Sequence, residues 1–400
     1  MPATDVNSSL LGPPGGFASA CRPTDLIYFT INVGDGDTQL LLLPARPDGK
    51  RRCVLVDCIR ANKLFGLLEA LDRAGLLSET KPLFDLVVAT HPHDDHIAGM
   101  AALLRRFGHG HIAELWEPGY YHPSAAYLEM MRELEDLDIN LLQPAAGTTR
   151  YLGQVKITVL APGIGLRNRF DTYGVNINNA SIALKVDFPA ARTYERGQDR
   201  AYIRLPTLQT LILGADAQTL SWSQVLIDFP QLGPVKTAVT TALRRARGVE
   251  PLRAQVFKVP HHGSKHGLNL ELVEAIHPRV SIVSSVHDGG SYHFPHALTQ
   301  GALREALDPI SSKPEGAYRS DSDLNILYTG SNEVSDEEIV GPLGSVALLV
   351  GAGGRREVWR FGDARTASIV LAHGRPMVPP TAAGREPLPA VPGRHRAGRA

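Results

Sequence analysis

Between residues 86 and 107 the chain changes character twice, and no other passage limits its fold so strongly. Leu86 to Ala89 is an apolar, β-branched run that reads as a buried strand. Ile97, Met100, Ala101, Leu103, Leu104 and Phe107 then recur at helical spacing. Thr90-His91-Pro92-His93-Asp94-Asp95-His96 stands between them, so the polar residues sit at a mouth where a strand ends and a helix begins. Three imidazoles and two carboxylates within six residues suit a borderline divalent metal that takes nitrogen and oxygen donors. In an extended segment His91 and His93 point the same way, whereas Asp95 and His96 lie around the turn and can face a second ion. The order H-x-H-x-D-H is hard to reach by composition alone, so the run reads as a metal site rather than a histidine-rich surface loop.

Apolar runs that end in a ligand-type residue recur. Leu211-Ile212-Leu213-Gly214-Ala215-Asp216 places a carboxylate directly after apolar residues. Beside the histidine run, a carboxylate bridging two cations accounts for Asp216 better than an ordinary turn aspartate does. Val256 to Pro260 leads to His261 and His262, and neighbours in such a pair point to different sides, so one of the two is the expected ligand. Gly263, Ser264 and Lys265 open a turn whose backbone and ammonium could meet an anion, although a lysine there is more often simply solvated.

The run from Ala89 to Met100 resembles the signature of the metallo-β-lactamase-fold hydrolases. Ile31-Asn32-Val33-Gly34-Asp35-Gly36-Asp37-Thr38, Asn178-Asn179-Ala180-Ser181, Leu213 to Asp216 and Val259-Pro260-His261-His262-Gly263-Ser264 resemble the soluble domain of ComEC-type DNA-internalisation proteins. The resemblance covers roughly residues 25 to 350. It implies an α/β fold, a four-layer αββα sandwich with two mixed sheets face to face, helices outside and the metals at one edge. It also implies His91, His93, Asp95, His96, Asp216 and His261 as metal ligands, with His261 beside Asp95 and His96, and Asp216 as the bridge. His262 is then left to hydrogen-bond substrate or a ligand, and Asp57 to accept from a ligand histidine. Tyr292-His293-Phe294-Pro295-His296 falls where relatives carry a Tyr-Gly-His-Pro-like run, so His293 or His296 is expected as a proton donor near the leaving group.

One departure matters. Many members of the superfamily supply a third histidine to the first metal, just ahead of the strand leading to the bridging aspartate. Residues 176–181 contain no histidine, and Asn178 or Asn179 stands there instead. An amide oxygen is a harder, weaker donor, so the ion beside His91 and His93 is expected to bind less tightly or to favour Mn²⁺ over Zn²⁺. The ComEC-type branch shares this asparagine pattern but usually replaces the second histidine of the signature by Asp, where this chain has His93. His109, His111 and His122 lie between elements and are expected to be surface or packing residues.

The resemblance therefore implies a hydrolase holding one or two divalent ions, Zn²⁺ or Mn²⁺. Its catalytic candidates are Asp95, Asp216, His262, His293 and His296, and its substrate contacts Asn178, Asn179, Ser264 and Lys265. A phosphodiester, in a small molecule or a nucleic acid, is the expected substrate. A lactone, thioester or β-lactam is the alternative, because the same chemistry attacks a carbonyl and fold does not decide between them. A metal-stabilised binding module without catalysis is a reading of a different class. The equal counts of acidic and basic residues, 41 each, give no global field to gather nucleic acid.

Four hundred residues at 43% hydrophobic content can bury a large core. Residues 1–24, rich in Pro, Gly and Ser, read as disordered, 25–363 as the hydrolase domain, and 364–400 as a mostly flexible Pro/Arg/Ala-rich tail. Strands are expected over 26–32, 39–43, 53–57, 112–116, 155–160, 181–186, 208–213, 255–259, 280–285, 325–328, 345–349 and 356–360. Helices are expected over 62–74 and after Ser124, and the long polar loop 163–179 reads as functional. Cys21, Cys53 and Cys58 are too few for a disulfide framework and read as thiols in reducing surroundings. With no secretory signal and no apolar run long enough to span a membrane, a cytoplasmic location without membrane partners is expected.

Overall fold

The computed structural model describes residues 15–163, 166, 176–196, 199–204, 207–228, 252–287, 292–308, 321, 324–331, 344–361, 369 and 371–377. Most of the long polar loop 163–179 lies outside them. The strands of the first half are β1 (Leu26–Thr30), β2 (Thr38–Leu42), β3 (Cys53–Cys58), β4 (Phe84–Val88), β5 (Glu114–Trp116), β6 (Asn140–Leu142), β7 (Thr149–Leu152) and β8 (Val155–Ala161). Next come β9 (Ala183–Phe188), β10 (Ala191–Arg196), β11 (Asp199–Arg204), β12 (Gln209–Leu213), β13 (Val256–Lys258) and β14 (Val280–His287). The last are β15 (Ile326–Ser331), β16 (Val346–Val350), β17 (Arg356–Arg360) and β18 (Arg375–Pro376). They form a nine-stranded sheet in the order β18-β17-β16-β1-β2-β3-β4-β5-β6 and a seven-stranded sheet in the order β15-β14-β13-β12-β9-β8-β7. The β10–β11 hairpin stands apart. Both sheets are mixed: β3 to β6 run parallel in the first, and β12 to β15 in the second.

Alternation along each strand decides which layer a side chain enters. Leu26, Tyr28, Val54, Val56, Leu86 and Val88 from the first sheet meet Val155, Ile157, Leu184, Val186, Leu211, Leu213 and Val256 from the second in one buried layer. The residues between them point the other way. Ile27, Phe29, Leu55 and Val87 pack beneath helices α2 (Ala61–Arg73), α4 (Met100–His111) and α5 (Ala125–Glu135). Ile212, Phe257 and Val283 pack beneath α6 (Thr219–Asp228), α7 (Leu270–Ile276) and α8 (Ala297–Leu307). Helix, sheet, sheet, helix is the four-layer order expected. α2 presents Leu64, Leu67, Leu68 and Leu71 to its sheet, and α5 starts where Ser124 Oγ accepts from the Tyr127 amide. Among the described residues no helix is long and apolar enough to cross a membrane.

Both end segments of the described chain carry more structure than composition suggested. Residues 15–24 carry a short helix, α1 (Phe17–Ala20), whose Phe17 is fully buried against Phe29, Trp359 and Phe361. At the other end Ile369 and Leu371 join the same core, and β18 extends the nine-stranded sheet. One aromatic ring in the right place recruits a Gly- and Pro-rich segment that composition reads as disordered.

Candidate metal centre

Ligands in open α/β sheets gather beyond the carboxyl ends of parallel strands. Here His91, His93, Asp95 and His96 follow β4, Asp216 follows β12, and His261 and His262 follow β13. Asp57 is the penultimate residue of β3. Main-chain bonds hold this edge together. Ile182 N, ahead of β9, donates to Thr90 O at 3.0 Å and joins the two sheets, and Asp37 N donates to Asp95 O at 3.1 Å within the nine-stranded sheet's own loops. Gly36 lies at φ 150°, and a Cβ there would meet Asp95 O at 2.7 Å, so only glycine lets the β1–β2 turn approach the ligand loop. Asp94–Ile97 form a single helical turn, α3, which puts Asp95 and His96 around the corner from His91 and His93.

Hydrogen-bond partners fix the imidazoles. His96 Nδ1 lies 2.7 Å from Asp57 Oδ2, and a carboxylate accepts, so Nδ1 carries the proton. His262 Nδ1 lies 3.0 Å from the Ser284 carbonyl and donates for the same reason. Thr90 Oγ1 spends its proton on Asp57 Oδ2 at 2.8 Å and therefore accepts from His91 Nδ1 at 3.2 Å. Three buried imidazoles thus turn a bare Nε2 inward. His96 Nε2 and His262 Nε2 face each other at 3.3 Å. Asp216 Oδ1 stands 3.1 Å from the first and 3.5 Å from the second, buried and without a hydrogen bond. Asp95 Oδ2 lies 3.5 Å from His262 Nε2. On the other side, His91 Nε2 lies 3.1 Å from His93 Nδ1 and 3.7 Å from Asp216 Oδ2.

Acceptors packed this closely around a buried carboxylate need positive charge among them, from bound protons or from a cation. Asp95, His96, Asp216 and His262 converge as one possible ligand set and His91, His93 and Asp95 as another, with Asp95 common to both. The donor chemistry fits a divalent ion that takes nitrogen and oxygen. The electrostatics agree. Burial opposes charge on His96, yet Asp216 and Asp57 lift its proton affinity well above the ordinary imidazole range. Against the same burial, Asp216 and Asp95 raise His262. Burial, joined by His96, pushes His91 well below that range. Asp216 is buried too, but His96 and His262 hold it well below the usual carboxylate range, so it stays an anion.

The structure reassigns several expected residues. His262, not His261, stands beside Asp95, His96 and Asp216. Both histidines have positive φ, 50° and 51°, so the extended-strand alternation that would sort them does not apply. Asn178 faces the centre, with Nδ2 3.3 Å from His261 Nε2 and a buried Oδ1 that lacks a partner. Asn179 turns away, its Oδ1 accepting from Ser221 N and Oγ. Ser264 is buried in the turn, its carbonyl accepting from Thr299 Oγ1, while Lys265 is exposed. His293 is exposed, and His296 caps α8, its Nδ1 accepting from Leu298 N at 3.2 Å. The residue of that run that packs on the centre is Phe294, whose ring lies 5.5 Å from that of His261 and 6.0 Å from that of His262. His122 approaches His93 at 5.5 Å between ring centroids, whereas His109 and His111 end α4.

Sequence reasoning missed Thr90, Gln218, Ser284 and Lys258. Lys258 carried a signal: a lysine inside the apolar run Val256-Phe257-Lys258-Val259 demands a buried partner. It shares the inter-sheet side of β13 with Val256, and its Nζ meets Asp37 at 2.8 Å with both side chains fully buried.

The sequence model of the Metallo-beta-lactamase superfamily matches residues 48–172, less than a third of the chain. That match supports the metallo-β-lactamase superfamily. The two-sheet sandwich is consistent with that superfamily's fold, whereas Asp216, His261 and His262 lie beyond the matched stretch. No curated protein matches the chain. Similar solved structures include CmlA, a diiron beta-hydroxylase from Streptomyces venezuelae, at 12% identity and a TM-score of 0.35, covering 74% of this chain and 52% of that one. This chain therefore spans about half the length of CmlA. The metallo-beta-lactamase fold protein YhfI from Bacillus subtilis shows 14% identity and a TM-score of 0.36, with 70% and 94% covered. A diphosphatase from the PhnP family shows 11% and 0.29, with 76% and 95% covered. At these values the likenesses say nothing of substrate.

Proposed function

We propose that the protein is a metal-dependent hydrolase whose substrate is a small phosphodiester. The observation that carries the metal reading is the convergence of His96 Nε2, His262 Nε2, Asp216 Oδ1 and Asp95 Oδ2 on one another in a buried pocket. His91 and His93, with Asp216 Oδ2 beside His91, form the second half of the centre. One or two divalent ions held there would supply Lewis acidity and lower the pKa of water toward neutrality. Asp95, whose side chain is 31% exposed, is the carboxylate at the mouth and accepts from an incoming water, orienting its lone pair toward substrate. Asp216, fully enclosed, keeps its negative charge between the histidines. Phe294 presents an apolar ring to His261 and His262 on that side of the site.

The phosphodiester assignment is supported by the ComEC-type motifs around Asp37, Asn178 and His262. The balanced charge, 41 acidic and 41 basic residues, favours a nucleotide-sized substrate over a long nucleic acid, which requires many cationic contacts. The test is chelator-stripped protein reloaded with Zn²⁺ or Mn²⁺ and offered bis(p-nitrophenyl) phosphate, cyclic and linear dinucleotides, a lactone, a thioester and a β-lactam. Metal-dependent cleavage of the phosphodiesters alone, abolished in His91→Ala and His93→Ala with the fold intact, is the expected result. Turnover confined to the carbonyl substrates would replace the phosphodiester reading, and wild-type turnover in either variant would remove the metal centre from the chemistry.

A further inference from the structure

We infer that His261 is a hydrogen-bond donor to substrate, its proton fixed on Nε2 by a relay of amides, and not a ligand of the metal. The identity of the acceptor, a phosphoryl oxygen, rests on the hydrolase reading above; the tautomer does not. The relay starts at Ser221, whose backbone N donates to Asn179 Oδ1 at 3.3 Å. A backbone N–H only donates, so the oxygen of that amide is identified. Asn179 Nδ2 then donates to Gln218 Oε1 at 3.5 Å. Gln218 is left with Nε2 toward His261 Nδ1, at 3.1 Å. That Nδ1 must accept, and a neutral imidazole then carries its proton on Nε2.

This is the opposite tautomer from His91, His96 and His262, each of which donates from Nδ1. His261 Nε2 faces the centre but makes no ligand-like convergence. It stands 3.6 Å from Asp216 Oδ2 and 3.3 Å from Asn178 Nδ2, and the convergent His/Asp groups among the described residues do not include it. His261 is also the one of these four that reaches the surface, at 15% side-chain exposure against 0% for His91, His96 and His262. Asn178 completes the geometry. As placed, its Nδ2 meets another donor and its buried Oδ1 meets nothing. Turning that amide over lets Oδ1 accept the His261 proton in the free protein. When an anionic oxygen arrives, the amide turns back, and the His261 Nε2–H and the Asn178 Nδ2–H become two donors beside the buried Asp216. The histidine missing from residues 176–181 is thus not replaced by His261 as a ligand; the position is given to substrate contact.

The experiment uses the full chain, ¹⁵N-labelled at histidine and loaded with Zn²⁺, and reads the ring protonation from long-range ¹H–¹⁵N correlations. His261 should show a protonated Nε2, and Gln218→Glu, whose carboxylate accepts, should move that proton to Nδ1. An unprotonated, metal-shifted Nε2 in the wild type overturns the inference. Metal content gives a second reading: His261→Leu should keep the wild-type stoichiometry while His262→Leu loses metal. Loss of an ion from His261→Leu and from His261→Gln alike would also overturn it. Titration with inorganic phosphate should weaken roughly 10- to 100-fold in His261→Leu, the range for a hydrogen bond to a charged group. His261→Gln, whose amide nitrogen falls near the place of Nε2, should restore most of that affinity. Unchanged phosphate binding in His261→Leu would count against the donor role. The NMR and metal readings need no turnover, so failure of the phosphodiester assignment leaves them standing.

Discussion

Asp57 orders the candidate metal centre without being one of its expected ligands. Its Oδ1 accepts from Thr90 N at 2.8 Å, and its Oδ2 accepts from Thr90 Oγ1 at 2.8 Å and His96 Nδ1 at 2.7 Å. Those three bonds set the tautomers of His96 directly and of His91 through Thr90. The backbone is bent to allow it: Asp57, Ala215, His261 and His262 all lie at positive φ, between 45° and 59°, and all four stand at the ends of strands that reach the centre. Such strain persists where the surroundings over-determine it. Asp57→Asn puts an amide nitrogen against His96 Nδ1 or Thr90, so one donor must turn. Metal affinity should fall about 10–100-fold with the fold retained, read by competitive chelator titration. Wild-type affinity would show that the Asp57–His96 bond does not orient the ligand. At this scale the convergence of His91, His93, Asp95 and His96 was legible from the H-x-H-x-D-H run. The choice between His261 and His262 was not, because it depends on a left-handed turn that residue type does not encode.

Strands were easier to read than helices, and the reason is burial. β1 to β3, β9, β12 and β16 are buried along their length, β4 and β8 at all but one position, and all carry unbroken or alternating apolar runs. The three-residue β6 is mostly exposed, and α7 spans seven residues, so both depend on neighbours rather than on their own pattern. β13 shows what a pattern-breaking residue is for. Lys258 bonds Asp37 on the loop leading into β2, joining the two sheets directly behind His96 and His262. Burial alone would favour neutral Asp37, but Lys258, aided by His262 and His96, holds it below the usual carboxylate range. Lys258→Met leaves that carboxylate buried without its cation and should cost about 3–5 kcal/mol in chemical denaturation. Adding Asp37→Leu should recover much of the loss, since an apolar pair of similar volume is often neutral or better. If the double variant were no more stable than Lys258→Met, the pair would not be acting as a unit.

At the scale of the whole molecule, two sheets share one apolar layer, and the outer face of the nine-stranded sheet is closed by pieces from both ends of the chain. Phe17 sits edge-on to Phe29, Trp359 and Phe361, with ring centroids 5.7, 5.4 and 5.1 Å away. Gly15 N donates to Gly374 O at 2.8 Å, so the first and last described segments hold each other over that face. The αββα order was legible because strand alternation fixes two faces per sheet; this closure was not, because it rests on one aromatic in a segment poor in apolar residues. The consequence is a sharp limit on trimming. Removing residues 1–14 and 378–400 should leave the melting temperature and the metal content unchanged. Carrying the N-terminal cut through Phe17, or making Phe17→Ala, should destabilise the protein by about 3–5 kcal/mol, the usual range for emptying a buried aromatic position. The metal edge lies with the ends of β3, β4, β12 and β13, whereas Phe17 lies over the outer face of the nine-stranded sheet. Phe17→Ala should therefore lower the denaturation midpoint while zinc binding to the remaining folded protein keeps its wild-type affinity. A variant as stable as the wild type would place Phe17 outside the core, and one that lost zinc affinity while folded would show that closure of this face and geometry of the centre are coupled.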